Sequence, residues 1–152
     1  MAEADEGRQT VHLVGVPIRD FVLLQAYFDD MVREMQLIAV GSSGEGAAGR
    51  LADLAIYVQH DIAGHRNLLH ADALAAEADG HTHVDLEVHL LPASLPDARR
   101  LIEVAEELDQ QSRRGLLLTA PASEIVLDVL RWIVEEVEGQ LLTSRPPRPF
   151  PS

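Results

Sequence analysis

The sequence predicts one helix-rich α+β domain with a small sheet of two or three short strands. Three observations carry that expectation. Apolar residues recur at alternating spacings of three and four through Phe21, Leu24, Phe28, Met31, Met35 and Ile38, a helical seam about five turns long. Residues 11–16 and His83–Leu90 read instead as short strands, the second setting Val84, Leu86, Val88 and Leu90 against Asp85, Glu87 and His89. A chain of 152 residues, 47% of them hydrophobic, is sized for one domain that buries about 70% of its unfolded surface. The organisation expected is a flexible acidic arm over residues 1–9, a single domain over 10–142, and a proline-rich flexible tail over 143–152.

Each element has its own local reason. The strand over residues 11–16 ends at Pro17, and the Phe21–Ile38 seam follows as a helix. Residues 41–49 are rich in glycine and serine and read as a loop, before a helix over residues 50–62 with Leu51, Leu54, Ala55 and Val58 on one face. A shorter helix is expected over residues 67–77, then the strand His83–Leu90. Ser94-Leu95-Pro96-Asp97 has the form of a capping box. The helix it opens turns Ala98, Leu101, Ile102, Ala105 and Leu108 inward and Glu103, Glu106, Glu107 and Asp109 to water. Arg113 and Arg114 suit its negative end, and Gly115 supplies a left-handed stop. Residues 116–119 are the candidate third strand, and the last helix runs from Pro121 to Glu138 with Val126, Leu130, Ile133, Val137 and Leu141 on its stripe.

Composition excludes several classes of function. Twelve basic residues against 25 acidic ones give a net charge of −13, which argues against nucleic acid or an anionic membrane as partner. Every basic residue is arginine and there is no cysteine, so Schiff-base lysine chemistry, thiol catalysis and cysteine-held zinc are absent. The first residues carry Glu3, Asp5 and Glu6, unlike a signal peptide, and no apolar run approaches the ~20 residues of a membrane span. A cytoplasmic location is expected.

Three constellations invite a chemical reading. Gly44-Glu45-Gly46-Ala47-Ala48-Gly49 is a literal G-x-G-x-x-G, but the residues before it continue a helical seam and no strand follows, so a loop and no cofactor is expected. Six histidines, His60, His65, His70, His81, His83 and His89, fall close together with Asp61 and Asp85. Within them His81-Thr82-His83-Val84-Asp85 is an H-x-H-x-D string, which makes His81, His83 and Asp85 the metal-ligand candidates. That string carries the alternative function, a metal-dependent hydrolase or metal-binding sensor. The third constellation is the acids of the last two helices, including Glu124, Asp128, Glu135, Glu136 and Glu138, which periodicity places on solvated faces. No catalytic residue is singled out.

Val11-His12-Leu13-Val14-Gly15-Val16-Pro17, followed by a helix bearing Arg33-Glu34, resembles a family of small actinobacterial regulatory proteins. Val84-Asp85-Leu86, Ser112-Arg113-Arg114-Gly115 running on to Ala120-Pro121, and Leu130-Arg131-Trp132 before Glu135-Glu136 extend the resemblance over residues 11–142. Members of that family accompany histidine-kinase-like anti-sigma ATPases and STAS-type anti-anti-sigma proteins. The resemblance implies a non-enzymatic role in partner-switching control of a sigma factor. The ATPase role does not carry over, because the single asparagine, Asn67, has no Asp-x-Gly-x-Gly after it. The expected partner is therefore an anti-sigma ATPase, a STAS protein or a second copy of the chain. Trp132 and Arg131 are the interaction candidates, with Trp132 at the border of the last apolar stripe, where it either closes the core or anchors a partner.

Overall fold

A computed structural model of the protein describes residues 7–41, 63–90, 92–115 and 123–151. In chain order these form strand β1 (Gln9–Pro17), helix α1 (Ile18–Gly41), helix α2 (Ala63–Ala78), strand β2 (His83–Leu90), a 3-10 turn (Pro92–Ser94), helix α3 (Leu95–Arg113) and helix α4 (Glu124–Thr143). The expected α+β class holds: among the described residues there are four helices and a two-stranded antiparallel sheet. The glycine-rich motif at 44–49, the helix expected over 50–62 and the candidate strand over 116–119 lie outside the described residues.

β1 and β2 pair from Gln9↔Leu90 to Leu13↔Leu86, then resume at Val16↔Val84. Val14 and Gly15 thus stand opposite Asp85 alone, a bulge that Gly15 accommodates at φ +68° and that Asp85 braces by accepting from the Gly15 N–H at 2.9 Å. The inner face of the sheet buries Val11, Leu13, Val16, Leu86 and Val88 against Phe21, Ala73, Leu95, Trp132 and Val137, so all four helices contribute to one cluster. A second cluster joins Leu24, Tyr27, Phe28 and Met31 of α1 to Val126, Leu127, Val129 and Leu130 of α4, and Ile133 and Phe150 touch both. The outer face of the sheet presents Thr10, His12, Asp85, Glu87 and His89 to solvent.

α4 differs at both ends from the helix expected over residues 121–138. It begins at Glu124, with the Ser123 hydroxyl accepting from the Val126 N–H, and runs on to Thr143. Gly139 does not stop it; the stop is Ser144, in the left-handed region at φ 51°, ahead of Pro146. Of the acids expected on solvated faces, Glu103, Glu106, Glu124, Asp128 and Glu135 are exposed and two depart. Asp109 and Glu136 are buried, at 7% and 2% exposure, because another element covers a face that single-helix periodicity assigns to water. The tail expected to be flexible is likewise laid along the domain, for the reasons that follow.

Candidate functional site

One stripe of α4 carries Trp132, Glu136 and Gln140, four residues apart and therefore stacked on one face. The upper end of this stripe completes the outer edge of β1. Gln140 Oε1 accepts from the His12 N–H and its Nε2 donates to the His12 carbonyl, both at 2.8 Å, so a side-chain amide mimics a neighbouring strand. The Val14 carbonyl, two residues along the same strand edge, accepts from the Phe150 N–H at 3.0 Å.

Below that edge lies Glu136. Its Oε2 accepts from Arg145 Nη2 at 2.5 Å, and its Oε1 accepts from the Arg148 N–H at 2.7 Å and from Gln140 Nε2 at 3.4 Å. Both oxygens are engaged, which makes Glu136 a receptor for donors rather than a proton shuttle. The Arg145 guanidinium lies where a Cβ on Gly139 would be, so the glycine inside the helix is what admits it. Phe150 then meets Trp132 edge-on, with ring centroids 5.2 Å apart and planes at 89°.

The segment over residues 144–151 suits this groove residue by residue. Pro146, Pro147, Pro149 and Pro151 bring no N–H, which leaves Ser144, Arg145, Arg148 and Phe150 as its only backbone donors. All of them are used: Ser144 and Arg145 on the Gly139 carbonyl, Arg148 on Glu136, and Phe150 on Val14. An extended chain lies on the surface with no unpaired backbone donor, the condition for ordered packing without a further strand.

A cavity of about 740 Å³ adjoins the groove, lined by His12, Asp72, Asp85, Glu87, His89 and Pro147 among others. Several of its polar groups are engaged within the sheet. His12 Nδ1 lies 3.7 Å from Glu87, the Thr10 hydroxyl meets His89 Nδ1 at 3.1 Å, and Asp85 holds the bulge. The metal candidates His81, His83 and Asp85 are not brought together. His81 precedes β2, His83 Nδ1 meets the Thr82 hydroxyl at 2.9 Å, and among the described residues no three histidine, cysteine, aspartate or glutamate side chains form a group able to hold a metal ion. His83 and Asp85 share the exposed face of β2, and His81 lies before the strand begins. His60 and Asp61 lie outside the described residues.

The interaction candidates separate. Trp132 is buried in the sheet-side cluster beneath Phe150, so it closes the core of this chain rather than standing free as an anchor. Arg131 is exposed and pairs with Glu106 at 3.3 Å and Asp128 at 3.5 Å, tying α4 to α3. At the far end of the helical layer Arg113 Nε donates to buried Asp109 at 2.8 Å. Nearby, burial and then the Asp109 charge hold the Tyr27 phenol far above the usual tyrosine range, against an opposing pull from Arg113. Sequence reasoning missed Glu136, Gly139, Gln140, Arg145 and Phe150 as a set. The available signals were a glycine within an apolar helical period and a lone aromatic in a proline-rich tail.

Compared with protein-family models, with curated proteins and with solved structures, the chain matches none.

Proposed function

We propose that this chain is a non-catalytic cytoplasmic regulatory domain that works by binding an extended segment of another protein. One observation carries the reading. The groove between β1 and α4 already recognises such a segment, the chain's own residues 144–151, through its backbone donors, a carboxylate and an aromatic ring pair. The net charge of −13 favours a basic ligand, and the bound segment contributes Arg145 and Arg148. The family resemblance makes a partner-switching anti-sigma ATPase or STAS protein the partner to try first. No helix among the described residues is long and apolar enough to cross a membrane.

The test uses the full chain with Phe150→Ala, which loosens the resident segment while leaving Arg145 on Glu136. The peptide Arg-Pro-Pro-Arg-Pro-Phe-Pro-Ser is titrated against it, and the emission of Trp132, the single tryptophan, is followed. A saturable change that is lost when the peptide phenylalanine is replaced by alanine is expected. A cooperatively melting variant whose emission does not respond would overturn the reading.

A further inference from the structure

We infer that residues 146–151 are a displaceable strap, and that the working occupant of the groove is a partner's extended segment that takes their place along the edge of β1. This rests on the peptide-recognition reading above and adds to it a regulation and a ligand chemistry.

The contacts divide into a lock and a lid. Arg145 is the lock: it follows α4 directly, is pinned over Gly139, and pairs with Glu136. When the strap lifts, Glu136 keeps Arg145 and Gln140, so no buried charge is abandoned. The lid is held by less. Its members are exposed apart from half-buried Phe150, and among the described residues its backbone is held through the Arg148 and Phe150 N–H groups and, at the Pro146 carbonyl, by Arg145. Pro146 and Pro147 make a stiff link to the lid, next to the left-handed turn at Ser144. Lifting the lid uncovers Trp132 and the Val14 carbonyl together, an aromatic pocket beside a free backbone acceptor on β1.

The lid also specifies its replacement. Glu136 takes a backbone N–H, and two residues later the site takes a second N–H on Val14 together with an aromatic ring on Trp132. Positions between and beyond these need no donor, so proline fits there. The cavity beside Pro147 carries Asp72, Asp85 and Glu87, which favours a basic flank. The occupant is therefore an extended, basic segment with an aromatic residue two positions after a free N–H.

Geometry supplies a direct test. A Cβ on Gly15 would lie 3.8 Å from the Pro149 Cβ, about the mean separation of 3.8 Å across a disulfide, and the chain has no cysteine to interfere. The full chain with Gly15→Cys and Pro149→Cys locks the lid when oxidised and frees it when reduced. Titrated with the same peptide, the reduced form is expected to bind and the oxidised form not to. Because Gly15 sits at φ +68°, the Phe150→Ala chain serves as a second variant, expected to bind about tenfold tighter than the unaltered chain, whose closed lid lowers the competent fraction. Equal binding by oxidised and reduced forms, or by Phe150→Ala and unaltered chains, overturns the strap and leaves the recognition reading standing. No binding by the Phe150→Ala chain overturns both.

Discussion

Asp109 and Glu136 are both buried carboxylates held by an arginine, and they are closed in different ways. Asp109 meets Arg113 one helical turn along the same helix, and that arginine side chain remains 55% exposed. Glu136 meets Arg145 from beyond the end of its helix, with side-chain exposures of only 3% and 19%. The first pair is local and half in water, so its arginine can leave at little penalty. The second depends on a chain reversal, a glycine that makes room and an overlying segment, so removing its arginine strands a charge. Burial of the acid alone does not measure what an ion pair contributes; the wetness of its partner decides.

The largest effect expected on the Glu136 side is that of Trp132→Ala. Trp132 is buried between the sheet and Phe150, and its truncation should cost roughly 3–5 kcal/mol of folding stability, on the order of 10 °C in melting temperature for a domain this size. A variant that melts normally would place the ring outside the core. Arg145→Ala should follow at about 3 kcal/mol, because Glu136 is left buried with its charge poorly compensated. The paired change Glu136→Met with Arg145→Met should recover most of that loss. If the double variant is as unstable as Arg145→Ala, packing of the arginine stem and not the stranded charge explains the cost. Arg113→Ala is the counterpart in the local pair, and urea midpoints should show it losing only a fraction of what Arg145→Ala loses. Equal losses would erase the distinction drawn between the two sites.

The same contrast explains how much of the molecule was legible in its sequence. β2 is legible to its end residues, since strict alternation is a local signal and the buried Leu86 and Val88 obey it. The apolar members of α4 were also legible: Val126, Leu130 and Val137 are buried as the stripe requires. Glu136 was not, because its burial depends on Arg145 and Arg148, and a helical period says nothing about a segment that returns from beyond the helix. The docking of Phe150 was still less accessible, since it bonds to Val14, far away along the chain. The histidine string differs in kind. Residue types with rich chemistry stand close in sequence, yet among the described residues no three of them form a group able to hold a metal ion.

The smallest expected effect at neutral pH belongs to Tyr27, and it sharpens the comparison from the Asp109 side. Its hydroxyl is buried and finds no hydrogen-bond partner among the described residues. Tyr27→Phe therefore removes a polar group with no bond to lose, and stability at pH 7 should change by less than about 1 kcal/mol. The difference appears in alkali. Burial first, and the Asp109 charge second, raise the folded-state phenol above its ordinary value of about 10. Above that pH the unfolded chain releases a proton that the folded chain keeps, so the unaltered protein loses stability as pH climbs. Tyr27→Phe should flatten this alkaline limb, and Arg113→Ala should leave its slope nearly unchanged, because the folded phenol keeps its proton across that range with or without the opposing pull of Arg113. Urea midpoints at pH 7 and across pH 9.5 to 11 measure both. Superimposable limbs for the unaltered and Tyr27→Phe chains would mean that water reaches the phenol, and that the Asp109 end of the helical layer is wetter than its packing indicates.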